Sequence, residues 1–151
     1  MFKIEDQGHY IDEETVKLFE SFTDFNLTQG YRSFLLQYNG GRPVPNCFNF
    51  FSGEEGSSVN CFFSINRGNS NDLVKCIKNF SSRVPSESLP IGRDGFGNII
   101  CLILKGPNRE QVYFWDHEFE KNDDEEPDYS NMTLIANSFD DFLDGLYELE
   151  V

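Results

Sequence analysis

Six consecutive apolar residues, Ile99-Ile100-Cys101-Leu102-Ile103-Leu104, follow the turn-forming stretch Asp94-Gly95-Phe96-Gly97-Asn98. A strand with one solvated face alternates apolar and polar residues. This run does not, so it predicts a central strand covered on both faces. Such a strand needs apolar elements on either side, and the chain supplies them mainly as aromatics: 16 Phe, 6 Tyr and 1 Trp. Each buries about 150 to 250 Å², so a hydrophobic share of only 38% still fills a core. At 151 residues the chain matches a single domain spanning 1–151, burying roughly 68 to 70% of its unfolded surface.

The elements around that strand follow from periodicity and punctuation. Val16, Phe19 and Phe22, widened by Leu18 and Phe25, lie at helical spacing behind Asp12-Glu13-Glu14, where carboxylates favour a helix N-terminus and Asp12 suits a cap. Thr28 suits the cap of a second helix carrying Tyr31, Phe34, Leu35 and Tyr38, which ends at Asn39-Gly40-Gly41. Cys47–Phe51 and Val59–Ile65 read as two strands joined by a loop, and Leu73, Ile77, Phe80 and Val84 as an inserted helix ending before Pro85.

Leu89-Pro90-Ile91, Asn98–Leu104 and Gln111–Trp115 read as a strand meander. Met132–Ala136 reads as a last short strand. Ser138-Phe139-Asp140-Asp141 resembles a capping box opening a helix with Phe139, Phe142, Leu143, Leu146 and Leu149 inward. The expected class is therefore α+β: a mainly antiparallel sheet with two N-terminal helices, one inserted helix and a C-terminal helix.

Charge narrows the partners. With 12 Lys and Arg against 26 Asp and Glu, the formal net charge is −14. Phosphate backbones and anionic lipid repel such a chain, which argues against nucleic acid or membrane as direct ligands. No apolar run reaches the roughly 18 residues of a spanning helix, and the N-terminus turns acidic where a signal peptide turns apolar, so a cytoplasmic location is expected. Cys47, Cys61, Cys76 and Cys101 form no C-x-x-C pair and read as small buried hydrophobes rather than zinc ligands.

Catalytic signals are weak. His9 and His117 share no acid, base or nucleophile spacing with Ser or Cys. Trp115-Asp116-His117-Glu118 offers donor types, but neighbours on an extended segment point to opposite faces, so no metal site is expected. Gly92-Arg93-Asp94-Gly95-Phe96-Gly97 matches neither the dinucleotide nor the phosphate-loop pattern and reads as a tight hairpin. No catalytic residue and no cofactor are assigned.

The strongest functional signal is acidic. Asp116, Glu118, Glu120, Asp123, Asp124, Glu125, Glu126 and Asp128 face only Lys121, so 13 residues carry −7, half the net charge. Two readings stay open, a solubilising loop and a docking surface for a basic protein. Asp140, Asp141, Asp144, Glu148 and Glu150 add a second cluster. If the two share a face, their field steers a cationic partner. The candidate partner-binding residues are thus Asp116, Glu118, Glu120, Asp123, Asp124, Glu125, Glu126, Asp128, Asp140, Asp141 and Asp144.

The order of motifs also resembles a known group. Tyr31-Arg32-Ser33-Phe34-Leu35-Leu36-Gln37-Tyr38-Asn39-Gly40-Gly41, Leu89-Pro90-Ile91-Gly92-Arg93-Asp94 through Gly97-Asn98, Val112 through Glu118, and Ala136-Asn137-Ser138-Phe139-Asp140-Asp141-Phe142-Leu143 are similar to the SUKH superfamily, which contains the yeast cell wall assembly regulator. The resemblance runs from about Asp12 to Leu149. It implies an α+β fold and, for bacterial members, an immunity protein that binds and neutralises a cognate toxin, often a nuclease. It brings no catalytic residues. Members usually show Leu-Pro before the second helix; here Leu27 precedes Thr28, which is expected to cap instead. The alternative the resemblance carries is an intracellular regulatory or scaffold protein. Neither reading fixes an oligomeric state.

Overall fold

The computed structural model describes residues 2–149. In chain order the elements are β1 (Lys3–Glu5), α1 (Glu13–Thr23), α2 (Gln29–Gln37), β2 (Arg42–Val44), β3 (Cys47–Asn49), β4 (Glu55–Ser58), β5 (Cys61–Phe62), α3 (Leu73–Phe80), β6 (Ser88–Arg93), β7 (Ile99–Ile103), β8 (Val112–Trp115), β9 (Met132–Ala136) and α4 (Phe139–Asp144). Strands β5 to β9 form a five-stranded sheet in chain order, with every neighbour antiparallel. Two smaller antiparallel pairs, β1 with β2 and β3 with β4, complete the α+β arrangement expected from the sequence. No helix among the described residues is long and apolar enough to cross a membrane.

The unalternating run forms the middle strand, β7, and all five of its residues are buried. Register explains why both faces are covered. Phe62, Gly92, Ile100 and Phe114 pair across the sheet and share one face, while Cys61, Arg93, Ile99 and Trp115 share the other. On the first face Phe62 packs edge-on against Phe34 of α2 at 5.1 Å and Phe139 of α4 at 5.7 Å. Phe114 meets Phe48 of β3 at 6.1 Å. On the second face Phe80 of α3 packs edge-on against Trp115 at 5.7 Å, and the Arg93 guanidinium lies 5.1 Å over Phe63. The molecule is thus three layers deep: α2, α4 and the β3–β4 pair, then the sheet, then α3. Gly92 makes the close approach of β5 and β6 possible, because a Cβ there would lie 2.9 Å from the Cys61 carbonyl oxygen.

Several boundaries follow local chemistry. Asp12 caps α1 by accepting from the Thr15 N–H at 2.9 Å, and Ser138 caps α4 through the Asp141 N–H at 3.1 Å. Asn39, at φ 50, ends α2 together with Gly40. Its buried side chain does more: Nδ2 donates to the Ile65 carbonyl and Oδ1 accepts from the Ile65 N–H, both at 2.8 Å. Asp72 caps α3 by accepting from the Lys75 N–H at 3.1 Å, a cap the apolar pattern does not announce.

The structure corrects other expectations. Thr28 occupies the cap position of α2 but makes no side-chain capping bond. The start of that helix is held instead by Glu20, which accepts from the Leu27 N–H at 2.8 Å and pairs with Arg32. Leu18 and Phe22 are exposed, because α1 turns only the Val16 and Phe19 stripe inward. The two middle strands, read as joined by a loop, belong to different sheets. Cys47–Asn49 pairs with Glu55–Ser58, inside the stretch read as loop, and Cys61–Phe62 joins the large sheet. The short strands β1 and β2 carry too few residues for a period to show. The final helix stops at Asp144 rather than running to Leu149: Gly145 follows, and Cys47 and Tyr147 then exchange two backbone hydrogen bonds at 3.0 Å.

Candidate partner-binding surface

The acidic segment is only partly loose. It leaves β8 at Trp115 and enters a 3-10 turn, His117–Phe119, whose first free N–H groups need an acceptor. Asp116 supplies it, accepting from the Glu118 N–H at 3.0 Å. The Asp116 backbone is itself held by Asn131, whose carbonyl accepts from the Asp116 N–H at 2.9 Å and whose Nδ2 donates to the Asp116 carbonyl at 3.0 Å.

Two of the carboxylates are already in ion pairs. Glu120 takes two hydrogen bonds from Arg83, from Nε at 2.7 Å and Nη2 at 2.9 Å. That bonding holds the Glu120 carboxyl below its usual range and pushes the Arg83 guanidinium up. Asp128 pairs with Lys121 at 2.8 Å, and the same contact lowers its pKa. Glu125 accepts from Asn122 Nδ2 at 3.2 Å. Glu118, Asp123, Asp124, Glu125 and Glu126 are exposed and form no ion pair among the described residues. Asp123–Pro127 and Ser81, Ser82, Val84 and Ser86 line a shallow cavity of about 470 Å³ beyond the C-terminal end of α3. That helix end carries partial negative charge of its own, which adds to that of the four carboxylates.

The second cluster is elsewhere. Asp140, Asp141 and Asp144 are exposed on α4, and Asp140 and Asp144 line a separate groove of about 330 Å³ with Gly30, Ser33, Gln37 and Tyr38 of the α2 segment. Helix α4 belongs to the Phe114 layer, whereas Arg83 and the loop it grips belong to the Trp115 layer. The two acidic clusters therefore do not share a face. Glu148 is exposed beyond α4, and Glu150 lies outside the described residues.

Two side chains that the charge pattern missed stand beside the acidic segment. Phe96, on the β6–β7 turn, and Phe119, in the 3-10 turn, are both largely exposed. A signal existed in each case: Phe96 sits between two glycines and Phe119 among acids, away from any periodic apolar run. Three of the four cysteines are buried and Cys47 is half-buried, all as free thiols. Among the described residues no three His, Cys, Asp or Glu converge as metal ligands.

The sequence profile of the SMI1 / KNR4 family (SUKH-1) matches residues 10–145, from the approach to α1 to the end of α4. The chain belongs to this family. No curated protein matches it. Within the SUKH-1 span the recurring motifs have structural roles. Tyr31, Phe34 and Phe139 form one aromatic cluster, with centroids 5.1 to 5.2 Å apart for the Phe34–Phe139 and Tyr31–Phe139 pairs. Trp115 is fully buried.

Proposed function

We propose that this SUKH-1 protein, acting as one domain over 1–151, is a cytoplasmic immunity protein that binds and neutralises a cognate, basic bacterial toxin domain such as a nuclease, and catalyses no reaction itself. The observation that carries the reading is the Asp116–Asp128 segment. Its neighbouring cations, Arg83 and Lys121, are consumed by Glu120 and Asp128, leaving Glu118, Asp123, Asp124, Glu125 and Glu126 for an outside partner. A nuclease groove is preorganised for phosphate, and carboxylates on a stoichiometric inhibitor occupy it in place of nucleic acid. Asp140, Asp141 and Asp144 form a second acidic surface outside that interface.

Co-expression tests this. The C-terminal domain of a toxin encoded in the adjoining reading frame should arrest growth alone, and growth should return when this chain is co-expressed. Arrest without rescue refutes neutralisation and favours the regulatory or scaffold role.

A further inference from the structure

Two large apolar side chains stand in solvent at one end of the sheet. Phe96 is 76% exposed and Phe119 is 69% exposed. A lone exposed apolar residue needs no explanation. These two, however, sit on turns fastened to one another. The buried Asp94 carboxylate accepts from the Phe96 N–H at 2.8 Å, the Asn98 N–H at 2.9 Å, Asn98 Nδ2 at 2.8 Å and the Ser57 hydroxyl at 3.1 Å. Asn98 in turn offers Oδ1 to the His117 N–H at 3.1 Å. Gly97, at φ +90, lies against the His117 ring, so close that a Cβ would meet it at 3.3 Å. Phe96 and Phe119 are thus displayed by one hydrogen-bonded frame.

The surroundings state what kind of surface fits. Phe96 also lines a cavity of about 290 Å³ whose walls are Cys47, Tyr147 and Leu149 on one side and Glu55, Ser57 and Ser58 of β4 on the other, so the surface on its far side is mixed, part apolar and part polar. On the Phe119 side lie Glu118 and the acidic loop, whose cations are already paired. We propose that Phe96 and Phe119 are the apolar anchors of the interface, seated in a pocket of a protein whose rim is basic. This rests on the toxin-neutralising reading and adds to it a division of labour. Carboxylates act at long range and set the rate of encounter. Aromatic anchors act at contact and set the lifetime, and a frame ordered in advance spares the cost of ordering loops on binding. A second copy of this chain does not fit, since it brings −14 against −14.

The test is a kinetic binding measurement with the purified basic toxin domain from the adjoining reading frame, using wild type, Phe96→Ala, Phe119→Ala and the double variant. Both positions are exposed, so each variant should fold, which circular dichroism and a thermal melt check. Each single substitution should raise the dissociation rate about 30-fold, with the association rate within about threefold of wild type. A double variant that dissociates at the wild-type rate overturns the anchors and leaves neutralisation standing. Wild type that fails to bind overturns both. Self-association of wild type in sedimentation that the double variant abolishes assigns the patch to a second copy and overturns the basic partner.

Discussion

Arg83, just beyond α3, closes two hydrogen bonds on Glu120, at 2.7 and 2.9 Å, across 37 residues of chain. The guanidinium is fixed from its other side by the rings of Phe80, 4.6 Å below it, and Trp115, at 5.3 Å. One ion pair thereby ties the first part of the acidic segment to the layer that covers the central strand.

The pair makes stability depend on pH. Its hydrogen bonds hold the folded Glu120 carboxyl below the 4.5 of a free glutamate. Its contribution is therefore complete above that unfolded value and is lost as pH falls through the folded one. The pair is partly solvated, so Glu120→Gln should cost about 1 kcal/mol at pH 7. Urea melts should show the gap between wild type and variant narrowing below about pH 4. A gap that stays constant with pH contradicts the assignment.

The loop carboxylates should govern arrival. Changing Asp123, Asp124, Glu125 and Glu126 together to Lys is expected to slow association with a basic partner at least about tenfold at low salt and to flatten the salt dependence. The thermal midpoint should move little, because all four side chains are exposed. Stopped-flow association at several salt concentrations reads the effect, and an unchanged slope removes steering from the account.

Thiol labelling should separate the cysteines. Burial pushes the Cys76 thiol up to about 11 and the Cys101 and Cys61 thiols up as well, so little thiolate forms at neutral pH. A thiol-reactive dye should modify Cys47 in the native protein and the other three only in denaturant. Rapid native labelling of Cys101 would place β7 nearer solvent than its packing allows.

Asp94 should be costly to remove. Asp94→Ala leaves the Phe96 and Asn98 N–H groups and the Asn98 amide without their acceptor, and should lose about 2 to 4 kcal/mol in chemical denaturation. Amide exchange should quicken at Phe96, Asn98 and also His117, whose N–H is held by Asn98 Oδ1. Quickening confined to Phe96 and Asn98 would show that the two turns are independent.

Legibility in the sequence tracked the range of the interaction concerned. The Ile99–Leu104 run was readable as a doubly covered strand because burial on both faces erases alternation. Asp12 and Ser138 were readable because a cap acts within three residues. The pairing of Cys47–Asn49 with Glu55–Ser58 was not, since Glu55-Gly56-Ser57-Ser58 contributes backbone bonds and almost no apolar surface. Leu18 and Phe22 carry helical period yet face solvent, because periodicity gives a face and not what covers it. Within the candidate surface, the density of acids was visible in the chain. The grip of Arg83 on Glu120 and the opposite layers of the two clusters were not, because both depend on how Phe114 and Trp115 divide between the sheet's faces.

The Asp94 frame is made from a carboxylate, an amide, a serine hydroxyl and backbone N–H groups; neither phenyl ring takes part in holding it together. Scaffold and displayed group are chemically separate at this end of the molecule. Positions 96 and 119 can therefore change identity without disturbing the hydrogen bonds that present them. A change in what this end displays needs new side chains on an old mount, and no new architecture.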